Sequence, residues 1–350
     1  MQDEWTLDSL FDGIGVFPLA GSYHNISPIF ASEIEVDAID ITRRHFPSMK
    51  HVGDITQLHG ADLPPCDLIT FGSPCQDLST AGMRAGLNGQ KSSLFYDAVR
   101  IINEMRNATN GLFPTVVIWE NVYGALVSNH GADFRAVLTS LTGAEIPSPP
   151  FGRWAGAGMV HGIGFELAWR LMDAQYWGVP QRRLRIFVVV DYRTGRAGEI
   201  LFKSRKVQPL STMCSGSRMS SFPHTGKDSA KSRRELPLIF PFNDRGLRDA
   251  GMNKNTKKLL SSFGKPNDPF PTLLTSPNPL AAIFPDGHEC IRYPTPVECE
   301  RLMGLPDGWT KSGESGRRIP DSKRYQYLGN SIAVPSAEYI LKNVCEELTK

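Results

Sequence analysis

From Thr6 to Trp119 the chain, which has no obvious internal repeat, alternates short β-rich runs with turns and helical patterns. That alternation leaves few folds open. Thr6 to Phe11 reads as a strand ending in the glycine turn Phe11-Asp12-Gly13-Ile14-Gly15-Val16. Pro28 to Ile34, the stretch before Gly53-Asp54, and Asp67 to Phe71 read as further strands. Ala98, Ile101, Ile102 and Met105 share one apolar helical face. Thr115 to Trp119 is a short apolar run, as in a parallel strand covered on both faces. Such strand–helix alternation predicts a doubly wound α/β sheet.

Later segments extend this plan. Phe165, Leu167, Trp169 and Leu171 alternate with their neighbours, and Arg185 to Val190 forms a second run, so the two predict a hairpin closing the sheet. Gly143 to Gly164, rich in Gly and Pro, reads as a surface insertion. Composition shifts after Val190: Tyr192 to Lys265 carries 16 Lys and Arg against 5 Asp and Glu, an excess of 11 in a chain whose net charge is only +2. This is a phosphate-binding footprint or a solvated lysine-rich region, and charge alone does not separate the two. A helix is expected over Pro296 to Met303, with Pro at its start. An amphipathic helix over Pro335 to Lys350 is expected to pack back on the first domain. The expected division is a first domain of residues 1–191 with 328–350, and a smaller, irregular one of 192–327 with its connecting helix near 296–303.

With 41% hydrophobic residues a buried core is available, and no apolar run reaches membrane-spanning length. The six cysteines are scattered without a CxxC pair, which argues against a zinc site or disulfide framework and fits a reducing cytoplasm. The acidic start, Asp3-Glu4, lacks a signal-peptide pattern.

Four motifs fall at expected strand ends. The Phe11–Val16 turn would let a cofactor approach the backbone at the sheet's carboxyl edge. Glu33, about twenty residues beyond the glycines, stands where an acid can hold ribose hydroxyls, and Asp54 where a carboxylate can meet an adenine amino group. Singly these are ordinary surface carboxylates; together they favour an adenosine-containing cofactor. Gly72-Ser73-Pro74-Cys75-Gln76 puts a cysteine on a loop after the fourth strand, where a nearby helix N-terminus or Arg would favour the thiolate. Asp77 to Ser93, with Gly82, Gly86 and Gly89, reads as a mobile lid. Glu120-Asn121-Val122 follows the fifth strand on the same edge, and in Gln181-Arg182-Arg183-Leu184-Arg185 two guanidiniums, Arg183 and Arg185, alternate onto one face, suiting an anionic or carbonyl-rich ligand.

In order along the chain, FDGIGVFPLAG, GDITQL, GSPCQDLS, WENV, QRRLR, RYPTPVECERLMGLP and YQYLGNSIAVP closely resemble the motif set of the C5-cytosine DNA methyltransferases, over residues 6–130, 161–190 and 292–336. The resemblance implies a Rossmann-like, S-adenosylmethionine-dependent methyltransferase sheet with a target-recognition domain in residues 192–290. Phe11, Gly13, Ile14, Val16, Glu33, Ile34, Asp54, Ile55, Pro74, Asn330 and Ser331 match the cofactor positions. Gln76, Ser79 and Thr272 match DNA-contacting positions. The resemblance also implies that a cytosine is flipped out of duplex DNA. Cys75 then adds to carbon 6, and Glu120 binds near N3 with a raised pKa. Arg183 and Arg185 orient the base through O2 and hold Glu120 or the Cys75 loop, and residues 77–93 close over it.

No metal is expected. The implied setting is a bacterial or phage enzyme, monomeric and cytoplasmic on the nucleoid, alone or with a cognate restriction endonuclease. Two departures stand out. Val16 replaces the last glycine of the family's turn, which is expected to crowd the methionine end of the cofactor or alter the turn. Ser276-Pro277-Asn278-Pro279 replaces glycines that often follow the Thr-Leu step at Thr272-Leu273. One branch of the same scaffold methylates tRNA, but its Cys-Phe-Thr signature is missing here. Intact Cys75, Glu120, Arg183 and Arg185 argue against a non-catalytic DNA-binding regulator, and the Pro-Cys-Gln loop against a plain dehydrogenase.

Overall fold

A computed structural model describes residues 4–74, 94–203, 238–241, 269–275, 280–283 and 289–350. Strands β1 (Trp5–Leu10), β2 (Ile26–Ser32), β3 (Lys50–His51), β4 (Leu68–Phe71), β5 (Val116–Val122), β6 (Ala157–Gly162), β7 (Phe165–Asp173) and β8 (Leu184–Asp191) form one sheet in the order β3-β2-β1-β4-β5-β8-β7-β6. Pairing is parallel from β3 to β5 and antiparallel from β5 onward. The chain runs outward from β1 to β3, then returns to β4 on the other side of β1. The strand order therefore switches between β1 and β4, and their carboxyl ends flank the crevice where such sheets bind ligands.

The sheet is buried on both faces, as the apolar run at 115–119 predicts. Leu68, Val116, Ile118, Phe187 and Val189 pack on one side with α1 (Val16–Ser22), Ile41 of α2 (Val36–His45) and α6 (Ala197–Phe202). Ile69, Phe71, Val117, Trp119, Val188 and Val190 pack on the other with α3 (Leu94–Ala108) and α5 (Ala132–Thr142). Ala98, Ile101, Ile102 and Met105 all face that second layer. The short helix α4 (Gly124–Val127) continues from β5. The pairing of β2 with β1 slips at Ile29: Leu7 pairs with Pro28 and Asp8 with Phe30. A bulge there accommodates a proline that has no N–H for the ladder.

The expected hairpin is present as β7 and β8, and β8 lies against β5. The insertion differs from its sequence reading, because residues 157–162 form an edge strand, β6. Its composition hid it: Gly158 and Gly162 lie under the rings of Trp169 and Phe165, where a Cβ would come within 2.2 Å of carbon. Those glycines leave no alternation of apolar side chains to read.

Helix α7 (Pro296–Met303) begins with a capping box, Thr295 accepting from the Glu298 N–H and Glu298 from the Thr295 N–H, with proline in the first turn. It is followed by α8 (Asp321–Asn330) and α9 (Val334–Leu348). Ile340, Leu341 and Val344 of α9 are fully buried in the layer that holds α1 and α6, on the apolar side that the amphipathic pattern predicts. Beyond residue 191, α6 packs on the sheet through Ala197, Ile200 and Leu201. Strands β9 (Leu238–Pro241), β10 (Leu280–Ile283) and β11 (Glu289–Arg292) make a small antiparallel sheet in the order β11-β10-β9. Most of the basic segment lies outside the described residues. No helix among the described residues is long and apolar enough to cross a membrane.

Candidate active site

The loop leaving β4 is pinned to the neighbouring strand. The Trp119 indole N–H donates to the Ser73 hydroxyl at 3.1 Å, and the Asn121 amide donates to the Ser73 carbonyl at 3.3 Å. Between them, Glu120 rises at the carboxyl edge of β5. Its carboxylate comes close over Gly72, where an added Cβ would lie 3.2 Å from Oε2. The Arg185 Nε sits 3.1 Å from Glu120 Oε1. Register explains the meeting, because β8 runs antiparallel to β5 and pairs Arg185 with Val122. Glu120 is 7% exposed, and burial pushes its pKa up, while Arg185 and, less strongly, Arg183 pull it back. Cys75, Gln76, Ser79 and the expected lid at 77–93 lie outside the described residues. The half-buried Pro74 is the last described residue before them.

The two arginines part. Arg185 meets Glu120, whereas Arg183 is 1% exposed and donates to the carbonyls of Leu273 (3.3 Å) and Gly329 (2.9 Å) and to that of Ser331. Gln181 works the same seam, donating to the Leu302 carbonyl at 2.9 Å and accepting from the Leu273 N–H at 3.1 Å. Thr272 donates its hydroxyl to the Arg182 carbonyl. The segment before β8 therefore stitches residues 270–275, the end of α7 and the turn between α8 and α9 to the sheet.

Across the switch point lies the turn after β1. Phe11, Gly13 and Gly15 adopt left-handed backbone conformations. Glycine is needed at Gly15, where an added Cβ would lie 3.0 Å from Thr42. At Gly13 and Gly53 a Cβ would meet nothing within 4 Å, so open space lies above both turns. Glu33 accepts from the Gly13 N–H at 2.8 Å and from Ile34 and Glu35 N–H groups, locking the β1 turn to the end of β2. Asp54, exposed, caps the following 3-10 turn by accepting from the Thr56 N–H at 2.9 Å. Ile34 is 67% exposed at the mouth of the crevice. Ile14, Val16 and Ile55 are instead core side chains, so only their backbones border the crevice. Val16 opens α1 with its side chain in the core, away from the crowding its substitution suggests. Asn330 is exposed and Ser331 half-buried in the turn that Arg183 holds.

Two contributors were not singled out from the sequence. Trp309 donates its indole N–H to the Ile14 carbonyl at 2.8 Å and stacks on His45 at 3.6 Å, bracing the glycine turn from nearly three hundred residues away. Asp12 is buried in that turn, where the Ser9 hydroxyl lies near its carboxylate without a well-formed hydrogen bond to it. Burial, and then the charge of Glu33, push its pKa up to about 7, with Ser9 opposing. Only the acidic letter inside the glycine motif could have signalled it.

A family model described as C-5 cytosine-specific DNA methylase matches residues 5–145 and 157–346. The chain is 25% identical to an Escherichia phage P1 protein named DNA N-6-adenine-methyltransferase, over 97% of this chain but only 61% of that one. It is 26% identical to the type II methyltransferase M2.BsuMI of Bacillus subtilis, over 97% of this chain and 75% of the relative. Among solved structures, one described as a DNA modification methyltransferase encoded within an Escherichia coli prophage superposes with a TM-score of 0.63 at 18% identity, covering 99% of this chain and all of that one. That structural likeness speaks for the fold; the family model, spanning nearly the whole chain, shows that this protein belongs to the C-5 cytosine-specific DNA methylases.

Proposed function

We propose that this protein methylates carbon 5 of a cytosine flipped out of duplex DNA, using S-adenosylmethionine, with Cys75 as nucleophile. The observation that carries the reading is the buried Glu120 carboxyl, held by Arg185 and lying over the loop that leads to Cys75. The crevice between the β1 and β4 loops suits the cofactor. Asp12 offers a buried carboxylate with no well-formed hydrogen bond, a partner for the cofactor's ammonium group. Gly13 and Gly53 leave open space, and the exposed Ile34 offers an apolar face for a base. Glu33 and Asp54 supply acceptors for ribose and adenine. When bound, the cofactor supplies an electrophilic methyl group on a sulfonium.

The chain's own residues do the rest. The Cys75 thiolate forms a bond to carbon 6, and the ring electrons shift toward carbon 5. Glu120, in its acid form, donates to N3 and stabilises the negative charge that builds on the ring. Arg185 fixes Glu120 in place and orients the base through its O2. Arg183 is a positioning residue that ties the recognition segment and the α8–α9 turn to the sheet. After methylation, loss of the carbon 5 proton to a base restores the ring double bond, and the Cys75–carbon 6 bond breaks to return the thiolate. Residues of the 192–327 region outside α6 read the target. The enzyme acts as a monomer in the cytoplasm, on the nucleoid, alone or beside a restriction endonuclease.

Methylation of an adenine amino group, as the phage relative's name states for that protein, requires no cysteine, because the exocyclic nitrogen is itself the nucleophile. Incubation with labelled cofactor and either duplex DNA or tRNA, followed by nucleoside analysis, tests the reading. Label in 5-methylcytosine from duplex DNA is expected. Label in N6-methyladenine, or in tRNA alone, contradicts it. Bisulfite sequencing of DNA from an expressing host then gives the target site.

A further inference from the structure

The insertion at 143–164 has no part in the chemistry above, yet it is built rigidly onto the catalytic edge. Its register places it there. Arg185 of β8 pairs with Val122, Leu184 with Asp173 of β7, and Arg170 of β7 with Ala157 of β6. The loop entering β6, residues 150–156, therefore emerges from the same edge as Glu120 and Arg185, a few strands away. It packs on the turn that follows α4, Ser128–Gly131, which continues from β5 itself. The Trp154 indole donates to the Gly131 carbonyl at 2.8 Å, and Trp169 donates to the Ala155 carbonyl at 3.0 Å.

Both loops carry uncommon backbone. Asn129, His130 and Phe151 are non-glycine residues with φ of 48°, 52° and 59°. Left-handed conformations at such residues cost energy and persist where the surroundings enforce them. Here Trp154, hydrogen-bonded to Gly131, ties the two loops to one aromatic chain. Trp154 packs edge-on to Phe134 at 5.4 Å and to Trp169 at 5.6 Å, and Phe134 stacks on Trp119 at 6.4 Å. Trp119 is the residue that holds Ser73 in the Cys75 loop. One continuous stack thus fixes the loop's position relative to the reacting centre.

The tip of this braced loop is not used internally. Phe151 is 99% exposed, Arg153 is exposed with no ion pair among the described residues, and His130 is exposed beside them. An aromatic side chain held in water next to a cation suits the sugar edges and phosphates of a nucleic acid.

We propose that the loop at 150–153, with His130, is a fixed clamp on duplex DNA flanking the target cytosine, Arg153 meeting a phosphate and Phe151 packing on the groove wall. This rests on duplex DNA being the substrate. Fluorescence anisotropy with Phe151→Ala, Arg153→Ala and the double variant tests it. One duplex extends a helical turn or more beyond the bisulfite-defined target on both sides, and another is trimmed to its immediate neighbours. Both side chains are exposed, so unchanged melting temperatures are expected. On the long duplex, the double variant should bind about tenfold more weakly, and Arg153→Ala should lower the salt slope by about 1. On the trimmed duplex, all variants should match the wild type. Equal affinity and salt slope on the long duplex, or equal losses on both, overturn the clamp while leaving the DNA reading standing. Failure of the wild type to bind either duplex overturns the DNA reading itself. Sedimentation showing a wild-type dimer that Phe151→Ala dissolves would assign the tip to a second copy and overturn the clamp.

Discussion

Glu120 and Asp12 are carboxyls whose pKa burial raises, and each carries a pH dependence whose sign is determined. Burial raises Glu120, and in the proposed mechanism the acid form is the one that donates to N3. Turnover should therefore fall as pH climbs through the pKa of Glu120. Arg185→Ala removes the cation that pulls this pKa down, so the alkaline limb of its pH–rate profile should move to higher pH even though turnover is lower throughout. An unmoved limb contradicts the pairing. Glu120→Gln keeps the size and an N–H donor but has no transferable proton, and it should cost roughly 10²–10⁴-fold in kcat, with cofactor affinity near wild type by calorimetry. Asp12 works in the opposite sense. Its pKa, pushed up to about 7, means that the anion needed for an ammonium partner grows in through neutrality. Cofactor affinity should rise between pH 6 and 8 in the wild type and be weaker and flatter in Asp12→Asn, read by the same calorimetry.

At the scale of elements, the packing of α7 on α8 and the turn between them rests on few groups. Glu300 of α7 is fully buried and pairs with Arg324 of α8 at 2.9 Å, while also accepting from the Gly308 and Thr310 N–H groups. Removing one partner of such a pair strands the other charge. Glu300→Ala should thus cost about 3–5 kcal/mol, measured by denaturant unfolding, and a loss below 1 kcal/mol would contradict the role. These long-range partners are what sequence could not disclose. The strands at 115–119 and 185–190 were legible because burial on both faces leaves an unbroken apolar signature. β6 was illegible because its glycines exist to let Trp169 and Phe165 lie across it. Arg183 and Arg185 read alike on a strand, and only the fold sends one to Glu120 and the other to three carbonyls.

At the scale of the molecule, the α/β architecture and the order of the motifs were readable because a doubly wound sheet brings strand ends to one edge regardless of what connects them. Trp309 and Asp12 were not, since bracing across nearly three hundred residues and the desolvation of one carboxyl depend on packing. Asp8 shows the cost of that packing. It sits in β1, fully buried, and burial pushes its pKa from 3.8 up to about 8. A raised carboxyl pKa gives stability that is fully present below pH 3.8 and lost as pH rises through about 8. Relative to Asp8→Asn, the wild type should lose melting temperature over that window, by an amount corresponding to at most about 6 kcal/mol. An identical slope in the variant would contradict the assignment.

The central claim, that Cys75 attacks carbon 6, is tested most directly with a duplex carrying 5-fluorocytosine at the target position. Fluorine at carbon 5 cannot leave as a proton does, so the thiolate cannot be expelled once the methyl group has been delivered. With S-adenosylmethionine present, intact-mass spectrometry is expected to find protein joined to the DNA strand through the peptide bearing Cys75, and Cys75→Ser to give no such product. Normal methylation of unmodified duplex without any covalent product on the fluorinated one, or an adduct that survives in Cys75→Ser, would contradict the mechanism.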